Sequence, residues 1–254
     1  MKQRYFIELA YNGTRFHGWQ VQPNAVSVQE TLEKALSTVC REEIAVMGAG
    51  RTDTGVHASY FVAHFESEKD SLDHPDFTYK LNSFLCADLV LFRISKVGEQ
   101  AHARFDATSR TYHYFINQRK DPFALETSWY MNRELDVYKM NVACAVLFDY
   151  VDFTSFSRLH TDVKTNNCKI YFARWVQKDH GVVFTIKADR FLRNMVRAIV
   201  GTMVQVGLGK LSIAEFRKII EAKDRGLAGA SAPAQGLFLA NITYPEDVFQ
   251  HLEE

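Results

Sequence analysis

The feature that most constrains the fold is the order of apolar segments between residues 4 and 97, which reads strand, helix, strand, strand, helix, strand. Residues 4–10 carry the aromatic and aliphatic side chains of a strand. Ser27-Val28-Gln29-Glu30 reads as a capping box, Ser27 accepting from a first-turn amide and Glu30 reaching back. It opens a helix with Val28, Leu32, Leu36 and Val39 on one face. A short strand at 44–47, an alternating strand at 59–67, helical spacing through Phe77, Leu81 and Leu85, and an apolar strand at 89–97 complete the series. Such an order closes as a β-α-β-β-α-β unit, the ferredoxin-like (RRM-like) arrangement.

The second half follows a similar order without a residue-level repeat. A strand at 110–116 precedes a helix capped by Asp136, with Val137, Met140, Cys144 and Leu147 inward, and strands at about 165–177 and 181–189. A helix over 191–206, a second capping box at Ser212-Ile213-Ala214-Glu215 and a buried strand at 237–244 follow. The expected architecture is α+β, two ferredoxin-like halves dividing at 1–105 and 106–254. No linker-like or low-complexity segment separates them.

Composition narrows the function classes. Lys plus Arg and Asp plus Glu both number 30, so a basic surface for nucleic acid must be local. The opening reaches Glu8 before it accumulates the apolar run of a signal peptide, and no segment approaches membrane-spanning length, so a cytoplasmic protein is expected. Cys40, Cys86, Cys144 and Cys168 are far apart, which points to four reduced, packed thiols and no zinc. His57, His64 and His74 are irregularly spaced, and phosphate-loop, nucleophile-elbow and zinc-protease motifs are absent.

What remains is a loop between two apolar stretches, Gly48-Ala49-Gly50-Arg51-Thr52-Asp53-Thr54-Gly55-Val56-His57-Ala58. Asp53 is its only carboxylate and Arg51 the nearest cation; Glu66 and Glu68 lie at the far end of the next strand. An Asp in Thr-Asp-Thr-Gly is most often a turn-former, and His57 more often a satisfied structural histidine than an acid or base. The loop from Tyr11 to Pro23 has side chains suited to stacking on nucleotides, yet such loops more often plug their own domain. Tyr112 and Tyr114 share a strand face with Arg110 and Ile116, as core or surface tyrosines also do. The 191–206 helix is apolar over most of its circumference but carries Arg193 and Arg197 on one stripe, with Gly201 a turn further on. Arg197, deeper among apolar neighbours, has the stronger need of an anionic partner, which a structural or a catalytic carboxylate would meet equally well.

Read together, these segments resemble the TruA family of tRNA pseudouridine synthases from about Tyr5 to Tyr244. Residues 11–23 resemble its opening Y-D-G-T-x-F-x-G-W-Q, and residues 50–58 its signature G-R-T-D-x-G-V-H-A; residues 102–114, 191–201 and 232–239 follow in order. Asn12 stands where the family usually has Asp, Ala101 where Phe commonly precedes His-Ala-Arg-Phe, and Cys86 where Pro is common.

The resemblance implies the pseudouridine synthase fold, an extended mainly antiparallel sheet with helices on one face. It implies isomerisation of uridines 38, 39 and 40 on the 3′ side of the tRNA anticodon arm, without metal or cofactor. Asp53 would be the catalytic aspartate, attacking or deprotonating the ribose. Arg197 would hold it charged and oriented, and Tyr112 would stack on the base and help remove its C5 proton. Arg51 would take the place of the extruded uridine, Leu237 would wall the pocket, and His57 and Arg110 would join the substrate-binding residues. A homodimer would carry tRNA across both subunits, on basic surface from Arg15, Arg104, Arg110, Arg119 and Lys120. A non-catalytic RNA-binding protein and a pseudouridine synthase for another RNA are the alternatives.

Overall fold

The computed structural model describes residues 2–158 and 165–249. The chain divides into two compact units, Met1–Thr108 with Leu239–Glu254, and Ser109–Phe238. In this division the C-terminal segment belongs with the first unit.

The first unit contains strands β1 (Gln3–Tyr11), β2 (Val46–Gly48), β3 (His57–Ser67) and β4 (Leu89–Lys96), with helices α1 (Val28–Cys40) and α2 (Pro75–Phe84). Strand β1 runs antiparallel to both β3 and β4, and β2 antiparallel to β3, which gives the ferredoxin-like order β4-β1-β3-β2. The last strand of the chain also lies beside β3, where the Ser59 hydroxyl donates to the Leu239 carbonyl at 3.5 Å. Pairing of β1 with β3 is irregular between Leu9 and Tyr11, just where β1 leaves for the loop after it.

Strand β3 is not the half-buried alternating strand its sequence suggests: Phe61, Val62, Ala63, His64 and Phe65 are all buried. On the second face, His64 is met by His102 and Ala103. The Ala103 amide donates to His64 Nδ1 at 3.1 Å, and the Tyr244 hydroxyl donates to the Ala103 carbonyl. Helix α1 has half of its expected capping box. Ser27 accepts from the Glu30 amide at 3.2 Å, but the Glu30 carboxylate turns to Lys34, 2.7 Å away.

The second unit contains β5 (Ser109–Asn117), a two-residue β6 (Trp129–Tyr130), α3 (Val137–Val146), β7 (Ile170–Lys178), β8 (Gly181–Ala188), α4 (Met195–Gly207) and α5 (Ile213–Ala222). The final strand β9 (Leu237–Thr243) begins in this unit and finishes in the first. Strand β8 is antiparallel to both β5 and β7, so the order β5-β8-β7 repeats β1-β3-β2; β6 joins β5 in parallel. Asn141 fastens α3 to β7 by donating to the Trp175 carbonyl and accepting its amide, at 3.0 and 2.9 Å. The fold class is α+β with mainly antiparallel pairing, as expected.

Helix α4 starts four residues later than the hydrophobic pattern indicates. Asn194 adopts φ 65°, a left-handed conformation that breaks the helix before Met195, so Arg193 is exposed and off the stripe that carries Arg197. The capping box of α5 is complete. Three cysteines are buried, with thiols pushed up by burial, whereas Cys86 is exposed rather than packed. Among the described residues no helix is long and apolar enough to cross a membrane.

Candidate active site

The aspartate loop leaves β2 at Gly48 and enters β3 at His57, so sheet structure holds both of its ends. Its middle rests on the loop after β1. The Trp19 amide donates to the Thr52 carbonyl and the Gly55 amide to the Phe16 carbonyl, both at 3.3 Å; Val56 N–H closes a turn onto the Asp53 carbonyl at 3.1 Å. Tyr11 and Thr52 share a hydroxyl hydrogen bond of 2.8 Å. Gly18 cannot be another residue here: its φ is 85°, and a Cβ would lie 2.3 Å from the Thr52 carbonyl oxygen.

The supporting loop is itself anchored by its aromatics. Trp19 is 3% exposed and stacks on Phe61 with ring centroids 4.1 Å apart, and Phe16 is equally buried. These rings plug the domain, as the commoner fate of such loops predicts. Asn12 caps the short 3-10 turn Gly13–Arg15 by accepting from the Thr14 amide at 3.0 Å, a task that Asp and Asn perform alike. Arg15 pairs with Asp88 at 2.5 Å.

Asp53 is half-buried on this rigid support, with Arg51 and Thr54 exposed on either side. His57 is 1% exposed, and its Nδ1 accepts from the Gly13 amide at 3.0 Å. This hydrogen bond ties the start of β3 to the loop after β1.

In the second unit, Arg110 donates to the Asp189 carbonyl at 2.9 Å. Tyr112 is half-buried and meets the Phe191 ring edge-on, centroids 5.1 Å apart. Tyr114, fully buried, donates its hydroxyl to the Pro233 carbonyl at 2.8 Å; burial raises its pKa and the Arg197 charge opposes that. Leu237 is buried at the start of β9, and beside it Phe238 packs edge-on against Phe115. Arg104 lies over the Phe105 ring, 5.6 Å from its centroid, and Arg119 and Lys120 are exposed.

Arg197 sits half-buried on α4 among buried apolar neighbours. Its Nε donates to the Ala232 carbonyl at 2.7 Å, while the Ala232 amide donates to the Arg197 carbonyl at 2.9 Å. This clasp was not foreseen from sequence. Its only advance sign was the run of small residues at 228–236, short enough to lie flat on a helix.

The chain thus offers one positioned loop carboxylate, and elsewhere a fixed guanidinium and a part-exposed tyrosine ring. Among the described residues no three His, Cys, Asp or Glu side chains are grouped to hold a metal ion.

Residues 9–106 and 150–245 match the family model described as tRNA pseudouridine synthase. The chain is 57% identical to the tRNA pseudouridine synthase A of Bacteroides fragilis, over 98% of this chain and 99% of that one. It is 55% identical to that of Parabacteroides distasonis, over 97% and 98% of the two chains. Against the tRNA pseudouridine synthase A of Thermoanaerobacter sp. the identity is 40%, over 94% and 98%. On this agreement across nearly its whole length, the chain belongs to the tRNA pseudouridine synthase family.

Proposed function

We propose that this chain isomerises uridine to pseudouridine on the 3′ side of the tRNA anticodon arm, with Asp53 as the catalytic carboxylate. The observation that carries the reading is the seating of Asp53. It is half-buried on a loop whose backbone is tied to the loop beneath it at Thr52 and Gly55. A carboxylate that must meet one ribose at one angle gains from such preorganisation.

The isomerisation breaks the bond from C1′ to N1, turns the uracil, and forms a bond from C1′ to C5. The C5 proton leaves and N1 gains one, so atoms and charge balance with no redox partner. Asp53 either attacks C1′ or removes a ribose proton to release the base; both routes need an ionised, fixed carboxylate. In this reading Arg197 is its counter-ion, and the clasp on Ala232 fixes the guanidinium plane for that task. Tyr112, held edge-on by Phe191, supplies the stacking surface for the uracil and assists departure of the C5 proton. Leu237 walls the pocket. Exposed Arg51 enters the RNA stack in place of the extruded base.

The proposal extends to a cytoplasmic homodimer that carries tRNA across both subunits. A chain of zero net charge gains most from pooling its Arg15, Arg104, Arg110, Arg119 and Lys120 across two copies. The experiment is to incubate unmodified tRNA with the protein and map pseudouridine by carbodiimide labelling and primer extension. Stops confined to the 3′ side of the anticodon arm are expected. Stops confined to another arm would overturn the substrate position, and a purely monomeric sedimentation profile would overturn the dimer.

A further inference from the structure

The segment 228–233, between a 3-10 turn at Arg225–Leu227 and another at Ala234–Gly236, has no regular secondary structure, yet its position is closely determined. It lies along α4 as a strap. A Cβ on Gly201 would fall 1.8 Å from the Ala230 carbonyl oxygen, so helix and strap touch through bare backbone. Polar side chains tie it at both ends. The Thr202 hydroxyl, fully buried, donates to the Ala198 carbonyl at 2.8 Å and accepts the Gly229 amide at 3.0 Å. Arg225 donates to the Gly229 carbonyl at 3.2 Å and to the Ser231 hydroxyl at 2.9 Å. Asn194 donates to the same Ser231 hydroxyl at 2.6 Å.

Arg225 is the informative member. Its guanidinium is spent on neutral groups of the strap and forms no ion pair among the described residues. Ordering a long cationic side chain onto carbonyls and a hydroxyl sacrifices rotamer freedom for the placement of a few backbone atoms. One of the backbone atoms so placed is the Ala232 carbonyl, 2.7 Å from Arg197 Nε. Because Nε lies in the plane of the guanidinium, the position of that carbonyl sets the direction of the whole fork.

We propose that Thr202 and Arg225 are positioning residues for the reaction: they hold the strap so that the Ala232 carbonyl orients Arg197. This inference rests on the assignment of Arg197 as the partner of Asp53.

The test compares Thr202→Val, Thr202→Ser, Arg225→Met and Arg197→Met by kcat and KM for release of tritium from tRNA labelled at uracil C5, with Tm measured for each. A misplaced orienting group costs on the order of 10- to 100-fold in rate. Thr202→Val and Arg225→Met are therefore expected to lose kcat on that scale while KM for tRNA stays within about twofold. Thr202→Ser, which keeps the acceptor, restores kcat. If Thr202→Val folds poorly, the half-buried Arg225 provides the same test. Wild-type kcat in Arg225→Met beside an inactive Arg197→Met would overturn the strap alone. Wild-type kcat in Arg197→Met would overturn the counter-ion reading and the strap with it. A kcat loss that Thr202→Ser shares, or that simply follows loss of folded protein, reduces the strap to a structural element.

Discussion

The loop that carries Asp53 and the strap that clasps Arg197 are both irregular backbone, but they are held by opposite means. The loop is fixed by backbone hydrogen bonds from a neighbour nailed down by Trp19 and Phe16. The strap is fixed by the side chains of Thr202, Arg225, Asn194 and Tyr114 acting on its carbonyls, amides and hydroxyl. Packing of large aromatics makes a support that fails together with the domain's core. Single polar ties make one that can be loosened while the core stays intact. The first region should therefore couple stability to activity, and the second should allow them to be separated.

The largest expected effect comes from removing the packed support. Trp19→Ala deletes a buried, stacked ring and should cost about 3–5 kcal/mol of stability, as large-to-small core changes do. Denaturant unfolding measures it. A cost below about 1 kcal/mol, the scale of a surface substitution, would break the claim that packing holds this loop.

An intermediate effect separates the regions by pH. Burial, with Arg4 and His102 nearby, pushes His64 down from 6.5 to about 4. The folded state thus disfavours its protonation, and the unfolded state takes up the proton first. The stability carried by neutral His64 is full above about pH 6.5 and is lost as pH falls through 4. Wild type should lose Tm over that window more steeply than His64→Gln. Parallel curves would show that His64 does not report on the first unit.

The smallest effect belongs to the strap. Tyr114→Phe removes the hydrogen bond to the Pro233 carbonyl and should cost about 1 kcal/mol, since the ring stays packed. A loss near that of Trp19→Ala would erase the contrast between the two supports.

Much of this organisation is legible in the sequence, because it rests on periodicity and on side chains with one evident use. The strand and helix order of the first unit follows from apolar spacing, and Ser212 with Glu215 marks the start of α5. Asp53 stands out as the only carboxylate in a glycine-rich loop.

What escapes the sequence has physical causes. Phe191 and Leu192 fit a helical period, so the pattern extends α4 backwards, and only the left-handed Asn194 stops it. The alternation of β3 fails at His64 because a distant segment, at His102 and Ala103, packs on it. Two-residue β6 is too short to have a period. The strap is invisible because alanine, glycine and serine carry no hydrophobic signal, and the side chains that reach its backbone and the Ser231 hydroxyl come from distant positions 114, 194, 202 and 225.

The most direct measurement is tritium release from tRNA labelled at uracil C5 by Asp53→Asn, alongside tRNA binding by fluorescence anisotropy. No detectable release is expected, with affinity within about threefold of wild type, because the amide keeps the shape of the carboxylate and loses its charge and nucleophilicity. Release at a rate near wild type would contradict it and return Asp53 to the role of a turn-former.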